Sequence, residues 1–290
     1  MALTDQFAEI LKAQEPLAPY TALQVGGRAQ FLAEPRHEAE LIHLLQCCWV
    51  EKLPVRILAS GTNVLVRDEG VTGVVCRLAA PALQQVVVQA NRVYATAGAS
   101  LTQLITEAAR HGLAGLESLI GIPGSVGGAL HCSLGQTGSP LLTWMARVEL
   151  LDIRGQRRSV SREEWETLAA KRSGSVVLAV EFELEPDDAE SILRRLRRAW
   201  ISRHARQPFF IPRTAKLFQE PRGLSLEQLL EQAGVRHFRM GGVALHERDA
   251  NFIVVQPGTS AREILHFLEH LRHRLLEHTG HALTLELDIW

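Results

Sequence analysis

Between residues 121 and 130 the chain reads Gly121-Ile-Pro-Gly-Ser-Val-Gly-Gly-Ala-Leu130, with four glycines in eight residues and a proline among them. Glycine loses more backbone freedom on ordering than any other residue, so a regular helix or strand is not expected here. Ile122, Val126 and Leu130 are apolar, which argues against an irregular surface loop. A buried backbone with few side-chain atoms is expected where the main chain packs close to a bound molecule. The segment is neither a Gly-x-Gly-x-x-Gly turn after a strand nor the phosphate loop of nucleotide triphosphatases. A Rossmann dinucleotide fold is therefore not supported.

A second run of small residues, Ala59-Ser-Gly-Thr-Asn63, lies at the end of a predicted strand that starts at Val55. Its backbone N–H groups could cradle an anion, with Thr62 and Asn63 adding side-chain donors. The same letters also suit a plain strand-to-strand turn, and both readings stand at this point.

Periodicity predicts a helix over 37–50 with Leu41, Leu44, Leu45 and Trp49 on one face. Strands follow at 64–66 and 73–78, then a hairpin of 85–90 and 92–96 around Asn91. Ser100 with Gln103 reads as a capping box opening a helix that buries Leu101, Leu104, Ile105 and Ala108 and stops at Gly112. Strands at 148–151 and 176–184 flank a short helix at 162–170. The stretch 187–206 reads as a helix with acid at its start and a basic body, taken as a solvated face with Ile192, Leu196 and Trp200 buried. Past Gln207-Pro208 the pattern becomes a smaller α/β unit. It has a helix from Ser225 to Gly234, a strand at 250–255, and a helix from Ser260 to Gly280 burying Ile264, Leu268, Leu271 and Leu275. These signals divide the 290 residues into 1–78, 79–204 and 205–290.

Composition narrows the function classes. Apolar residues make up 46%, charged residues 22%, and the formal net charge is −1. A polybasic nucleic-acid surface is not indicated. The start of the chain lacks the pattern of a signal peptide, and no apolar run approaches the roughly 20 residues that span a bilayer. Membrane insertion is thus not expected. Cys47, Cys48, Cys76 and Cys132 form neither a Cys-x-x-Cys pair nor a zinc pattern, so they read as reduced, buried thiols of a cytoplasmic protein with no metal.

Three blocks occur in order: Ser60-Gly-Thr-Asn-Val-Leu-Val66, Gly115-Leu-Glu117 and Gly121-Ile-Pro-Gly-Ser-Val-Gly-Gly-Ala129. Together with Val25-Gly-Gly27, Gln207-Pro208, Leu217-Phe218, Pro221, Gly241-Gly242 and Ala250-Asn-Phe-Ile-Val254, they resemble the UDP-N-acetylenolpyruvoylglucosamine reductase family, from about residue 15 onward. The resemblance implies an α+β architecture: a PCMH-type FAD-binding part of two α/β subdomains, then a smaller substrate-binding domain. It implies bound FAD, noncovalent, with NADPH as hydride donor. The implied reaction converts the enolpyruvyl ether of a UDP-sugar to a lactyl ether, giving UDP-N-acetylmuramate for peptidoglycan synthesis. The flavin-binding positions it implies are Ala59, Ser60, Gly61, Thr62, Asn63, Gly121, Ile122, Pro123, Gly124, Ser125, Gly127 and Gly128.

At other positions the chain departs from the family pattern. The proton-donating serine of the family falls on Lys216 within Arg213-Thr-Ala-Lys-Leu-Phe-Gln-Glu-Pro221, and the lysine and asparagine that follow are Gln219 and Glu220. The arginine that polarises the substrate carboxylate falls on Lys171, with Arg172 beside it. The histidine before Ala-Asn-Phe-Ile-Val is Asp249. The catalytic glutamate is retained as Glu286. Two functions follow from this pattern. One is a reductase with Lys216, Glu286 and either Lys171 or Arg172 in its active site. The other is a flavin-binding protein that has lost this reaction and acts by binding or on another substrate.

Overall fold

The structure is a computed structural model, and it describes residues 3–132, 139–152, 154–168, 174–208, 211–221 and 223–290. The chain divides into two compact units, each drawn from separate stretches of sequence.

The first unit comprises Met1–Glu15, Gln30–Ser60 and Thr72–Arg203. One of its sheets has the order Leu11–Pro16, Arg28–Ala33, Val71–Arg77, Val55–Leu58, and the last two strands are parallel. The helix Glu38–Val50 packs on it through Leu41, Leu44, Leu45 and Cys48, in one cluster with Ala33, Val74 and Cys76. His37 caps this helix, its Nδ1 accepting the Glu40 N–H at 3.3 Å. Trp49, expected on the buried face, is instead 46% exposed, with the Arg154 guanidinium 5.2 Å above its ring. Cys48, one position earlier, fills the inward place.

The second sheet is antiparallel throughout, in the order Arg157–Ser161, Met145–Leu151, Val176–Glu183, Arg92–Thr96, Val86–Gln89. The helix Leu101–Arg110 lays Leu101, Leu104, Ile105 and Ala108 into the same core as Val93, Ala95, Val148, Val180 and Phe182. Ser100 Oγ accepts the Gln103 N–H at 3.1 Å, and Gly112 ends the helix at a φ of +67°. Only a left-handed backbone turns the chain there, which glycine adopts without a Cβ clash.

The long helix Ala189–Arg206 departs from its expected roll. Ile192 is buried and Leu196 and Ala199 pack against the core that holds Val180 and Phe182, but Trp200 is 44% exposed. On a helical wheel Ile192, Leu196, Ala199 and Arg203 share one face and Trp200 lies at its rim.

The second unit comprises Pro16–Ala29, Gly61–Val71 and His204–Trp290. Its antiparallel sheet runs Thr214–Lys216, Phe252–Val255, Val243–Leu245, Arg239–Met240. The helix Ala261–Thr279 covers a core containing Ile264, Phe267, Leu268, Leu271 and Leu275 with Ile253, Val255, Phe218 and Leu230. Ser260 and Glu263 close a full capping box at its start, and the Asp68 carboxylate accepts the Ala261 and Arg262 N–H groups at 2.9 Å each. That carboxylate satisfies orphan donors of the first turn and suits the positive end of the helix dipole. Leu23, Val25 and Leu65 join this core, and Val64–Leu65 pairs in parallel with Asp288–Ile289. Two short stretches from early in the chain thus pack with its C-terminal part.

Candidate active site

The glycine-rich segment is built in two halves. Gly121 and Gly124 have φ of +81° and +142°, conformations that a residue with a Cβ rarely adopts. From Val126 to Cys132 the chain is helical, contrary to the expectation that the glycines would prevent regular structure. Tertiary packing overrides propensity here. A Cβ on Gly127 would lie 2.8 Å from the Ala97 Cβ, and one on Gly128 would lie 3.0 Å from the Ala59 Cβ. The Gly127 and Val126 N–H groups donate to Ala97 and Ala99 carbonyls at 2.9 and 2.8 Å, and Leu101 N–H donates to the Gly124 carbonyl at 3.0 Å. Ser125, buried, accepts the Gly128 N–H on its Oγ at 3.2 Å. Part of the small-residue pattern therefore serves the chain's own close packing, and it brings Ala59 against Gly128. Ile122 packs on the surrounding core, and Pro123 leads into Gly124.

The segment entering this block is held by arginines that the sequence reading placed on a solvated face. Gly115, at φ +133°, leaves room for the Trp144 indole, which a Cβ would meet at 2.5 Å. Its N–H donates to Glu117 Oε2 at 2.7 Å, and Glu117 Oε1 accepts from Arg195 Nε at 2.8 Å. Arg195 also reaches Asp187 at 2.6 Å. Arg203, its pKa lowered by burial, donates to the Ile120 and Ser118 carbonyls at 2.9 and 2.6 Å. The helical period puts Arg203 on the face of Ile192, Leu196 and Ala199 and Arg195 at its edge, but says nothing of what they bind.

In the second unit the chain from Gly61 to Asn63 is also tightly fitted. Gly61 has φ +62°, a Cβ there would lie 2.1 Å from the Tyr20 carbonyl oxygen, and its own carbonyl accepts the Ala22 N–H at 2.9 Å. Asn63 Oδ1 accepts the backbone N–H of Lys216 at 2.8 Å. Asn63 Nδ2 is buried and has no hydrogen-bond partner among the described residues. A buried amide left unpaired costs on the order of 1–3 kcal/mol, so this donor fits an acceptor supplied by a bound molecule. Phosphate and flavin-ring oxygens are acceptors of that kind.

Lys216 ends the strand Thr214–Lys216, and its Nζ lies 2.7 Å from Glu286 Oε2. The side chains are 25% and 13% exposed, enough to meet a ligand yet largely shielded from bulk water. A charged pair at this separation places a proton donor beside a proton acceptor. Glu286 is set by its own backbone, whose N–H donates to the Leu217 carbonyl at 2.7 Å.

Asn251, within the stretch 250–255 expected as a strand, bonds the residues that follow Lys216. Its side chain bonds both polar backbone atoms of Phe218, accepting the N–H at 2.8 Å and donating to the carbonyl at 2.9 Å. Lys171 and Arg172 lie outside the described residues. Among the described residues no helix is long and apolar enough to cross a membrane.

The chain is similar to known proteins along its whole length. Residues 29–161 match the family described as FAD binding domain, and residues 207–290 match the C-terminal domain of UDP-N-acetylenolpyruvoylglucosamine reductase. The reductase of Rhodopirellula baltica is 32% identical over 296 aligned residues, covering 100% of this chain and 97% of that protein. The reductase of Moorella thermoacetica is 33% identical, again over 100% and 97%. The crystal structure of the reductase from Thermus caldophilus superposes with a TM-score of 0.76 at 31% identity, covering 95% of this chain and 97% of that one. Similarity of this extent spans both compact units, and the chain belongs to the UDP-N-acetylenolpyruvoylglucosamine reductase family.

Proposed function

We propose that this chain reduces UDP-N-acetylenolpyruvoylglucosamine to UDP-N-acetylmuramate with NADPH, using noncovalently bound FAD. The observation that carries the reading is the match to reductases over the whole chain, its C-terminal domain included. When bound, FAD supplies hydride transfer between the nicotinamide and the enolpyruvyl β-carbon. The chain's own residues do the rest. Backbone at Ala59, Ser60, Gly61, Thr62, Gly121, Ile122, Pro123, Gly124, Ser125, Gly127 and Gly128 would let the cofactor approach closely, and Asn63 Nδ2, buried with no partner among the described residues, would donate to it. Lys216 holds the proton destined for the substrate α-carbon on its Nζ. Glu286, at 2.7 Å, orients that ammonium and offers a route for its reprotonation. Lys171 or Arg172 holds the substrate carboxylate, by their place in the family pattern. In this reading residues 1–78 and 79–204 serve the cofactor and 205–290 the UDP-sugar, in a cytoplasmic step of peptidoglycan synthesis. Four cysteines that form no disulfide suit that compartment.

Anaerobic mixing tests the reading. NADPH should bleach the flavin absorbance, and the enolpyruvyl substrate should restore it. Lys216→Ala should leave bleaching almost intact and slow restoration by about a hundredfold or more, the usual scale for one acid–base group. Lys216→Ser should recover part of that loss. A wild-type protein that bleaches with NADPH yet is never restored by the substrate would replace the reductase with a flavin-binding protein of another function.

A further inference from the structure

Lys216 and Glu286 are 70 residues apart in sequence, and the regular strand carrying Lys216 stops at that residue. The next three residues are held from two sides. On one side Leu217 O accepts the Glu286 N–H at 2.7 Å, and Gln219 N–H donates to Thr284 O at 3.0 Å. On the other side, among the described residues, the bonds come from Asn251. Its carbonyl accepts the Leu217 N–H at 2.8 Å, and its side-chain amide takes the Phe218 N–H at 2.8 Å and gives to the Phe218 carbonyl at 2.9 Å. A primary amide carries a donor and an acceptor side by side, as a neighbouring peptide edge would, so Asn251 adds one rung to the ladder with a side chain.

Asn251 is itself set firmly. It is 4% exposed, its N–H donates to Asp249 Oδ1 at 3.0 Å, and its Nδ2 also faces Glu220 Oε1 at 3.4 Å. The Asp249 N–H in turn donates to His246 Nδ1 at 3.3 Å. A slip of the 217–219 segment would carry both Lys216 and the backbone bond to Glu286 with it.

We infer that Asn251 is a positioning residue for proton delivery: by clamping Phe218 it fixes the register that keeps the Lys216 ammonium against the Glu286 carboxylate. The inference rests on the reading that Lys216 serves the substrate half-reaction. An aspartate at 251 keeps the size but has no donor for the Phe218 carbonyl, and a second oxygen would face it.

The test is Asn251→Asp in the FAD-loaded protein. NADPH bleaching and flavin content should stay as in wild type. Substrate-dependent restoration should slow by about tenfold or more, the scale of a lost buried hydrogen bond, with KM little changed. The Phe218 amide should exchange its hydrogen faster. In a Lys216→Ala background Asn251→Asp should add almost nothing, because its effect passes through Lys216. Should Asn251→Asp fail to fold, Asp249→Ala removes the acceptor for the Asn251 N–H and leaves the Asn251 amide in place, and it should shift rate and exchange in the same direction. A loss that multiplies in full with that of Lys216→Ala, or faster Phe218 exchange with an unchanged rate, would overturn the inference. Lys216→Ala turning over as fast as wild type would instead remove the reading beneath it.

Discussion

The glycine-rich segment and the Lys216–Glu286 cluster are each held in one geometry, by different means. In the first, the requirement falls on the backbone. Gly121 at φ +81° and Gly124 at φ +142° each hold a conformation that a residue with a Cβ rarely adopts, and each need shows as a glycine. In the second, the requirement falls on a network. Asn63, Lys216, Asp249, Asn251 and Glu286 come from four stretches of chain, and no local rule demands any of them. A backbone constraint marks its own position in the sequence, whereas a side-chain network marks nothing until the strand register is known.

That contrast is open to experiment. The largest effect is expected at the backbone-limited segment. Gly124→Val forces a branched residue into a left-handed conformation, so the purified variant should be colourless and take up no FAD on titration. Uptake with wild-type affinity would break the contrast at its first term. The next effect is on stability in the unit that holds the network. Leu268, buried in its core, should cost about 2–5 kcal/mol on truncation to alanine. Urea unfolding followed by circular dichroism reads this directly, and an unchanged midpoint would mean that this helix face is not structural.

The smallest effect concerns pH. Burial pushes the His246 imidazole below its ordinary value, with the Asp249 charge acting the other way. Its Nδ1 accepts the Arg248 and Asp249 N–H groups, a role only the unprotonated nitrogen can fill. A depressed histidine contributes stability that is present above its unfolded value near 6.5 and is lost as pH falls below it. The melting midpoint should therefore fall modestly more between about pH 7 and pH 5 in wild type than in His246→Gln. Parallel curves would detach His246 from the network.

Much of the fold was open to reading. Ser100, Ser225 and Ser260 each cap the helix expected after them, and Gly112, Gly234 and Gly280 lie at positive φ where those helices end. The face Ile264, Leu268, Leu271 and Leu275 is buried as its period predicts. The misjudged positions were those where two inward candidates stood side by side. Trp49 lost to Cys48, and Trp200 gave way to a face carrying Ala199 and Arg203. Period alone locates a face to within about one residue, and the larger aromatic is not always the one that fits.

For the site the division is sharper. Sequence by itself determined the backbone-limited glycines, the helix caps and, through ordered blocks, the family. Those properties depend on residue type at a position and on its nearest neighbours along the chain. Only the tertiary structure decided that Gly127 and Gly128 would be helical, because room beside Ala97 and Ala59 outweighs their entropy. It likewise decided that Arg195 and Arg203 would turn inward onto the 115–121 segment, and that Asn251 would clasp Phe218. Each of these joins groups distant in sequence, and a hydrogen bond a few ångströms long exists only once folding has brought both ends together.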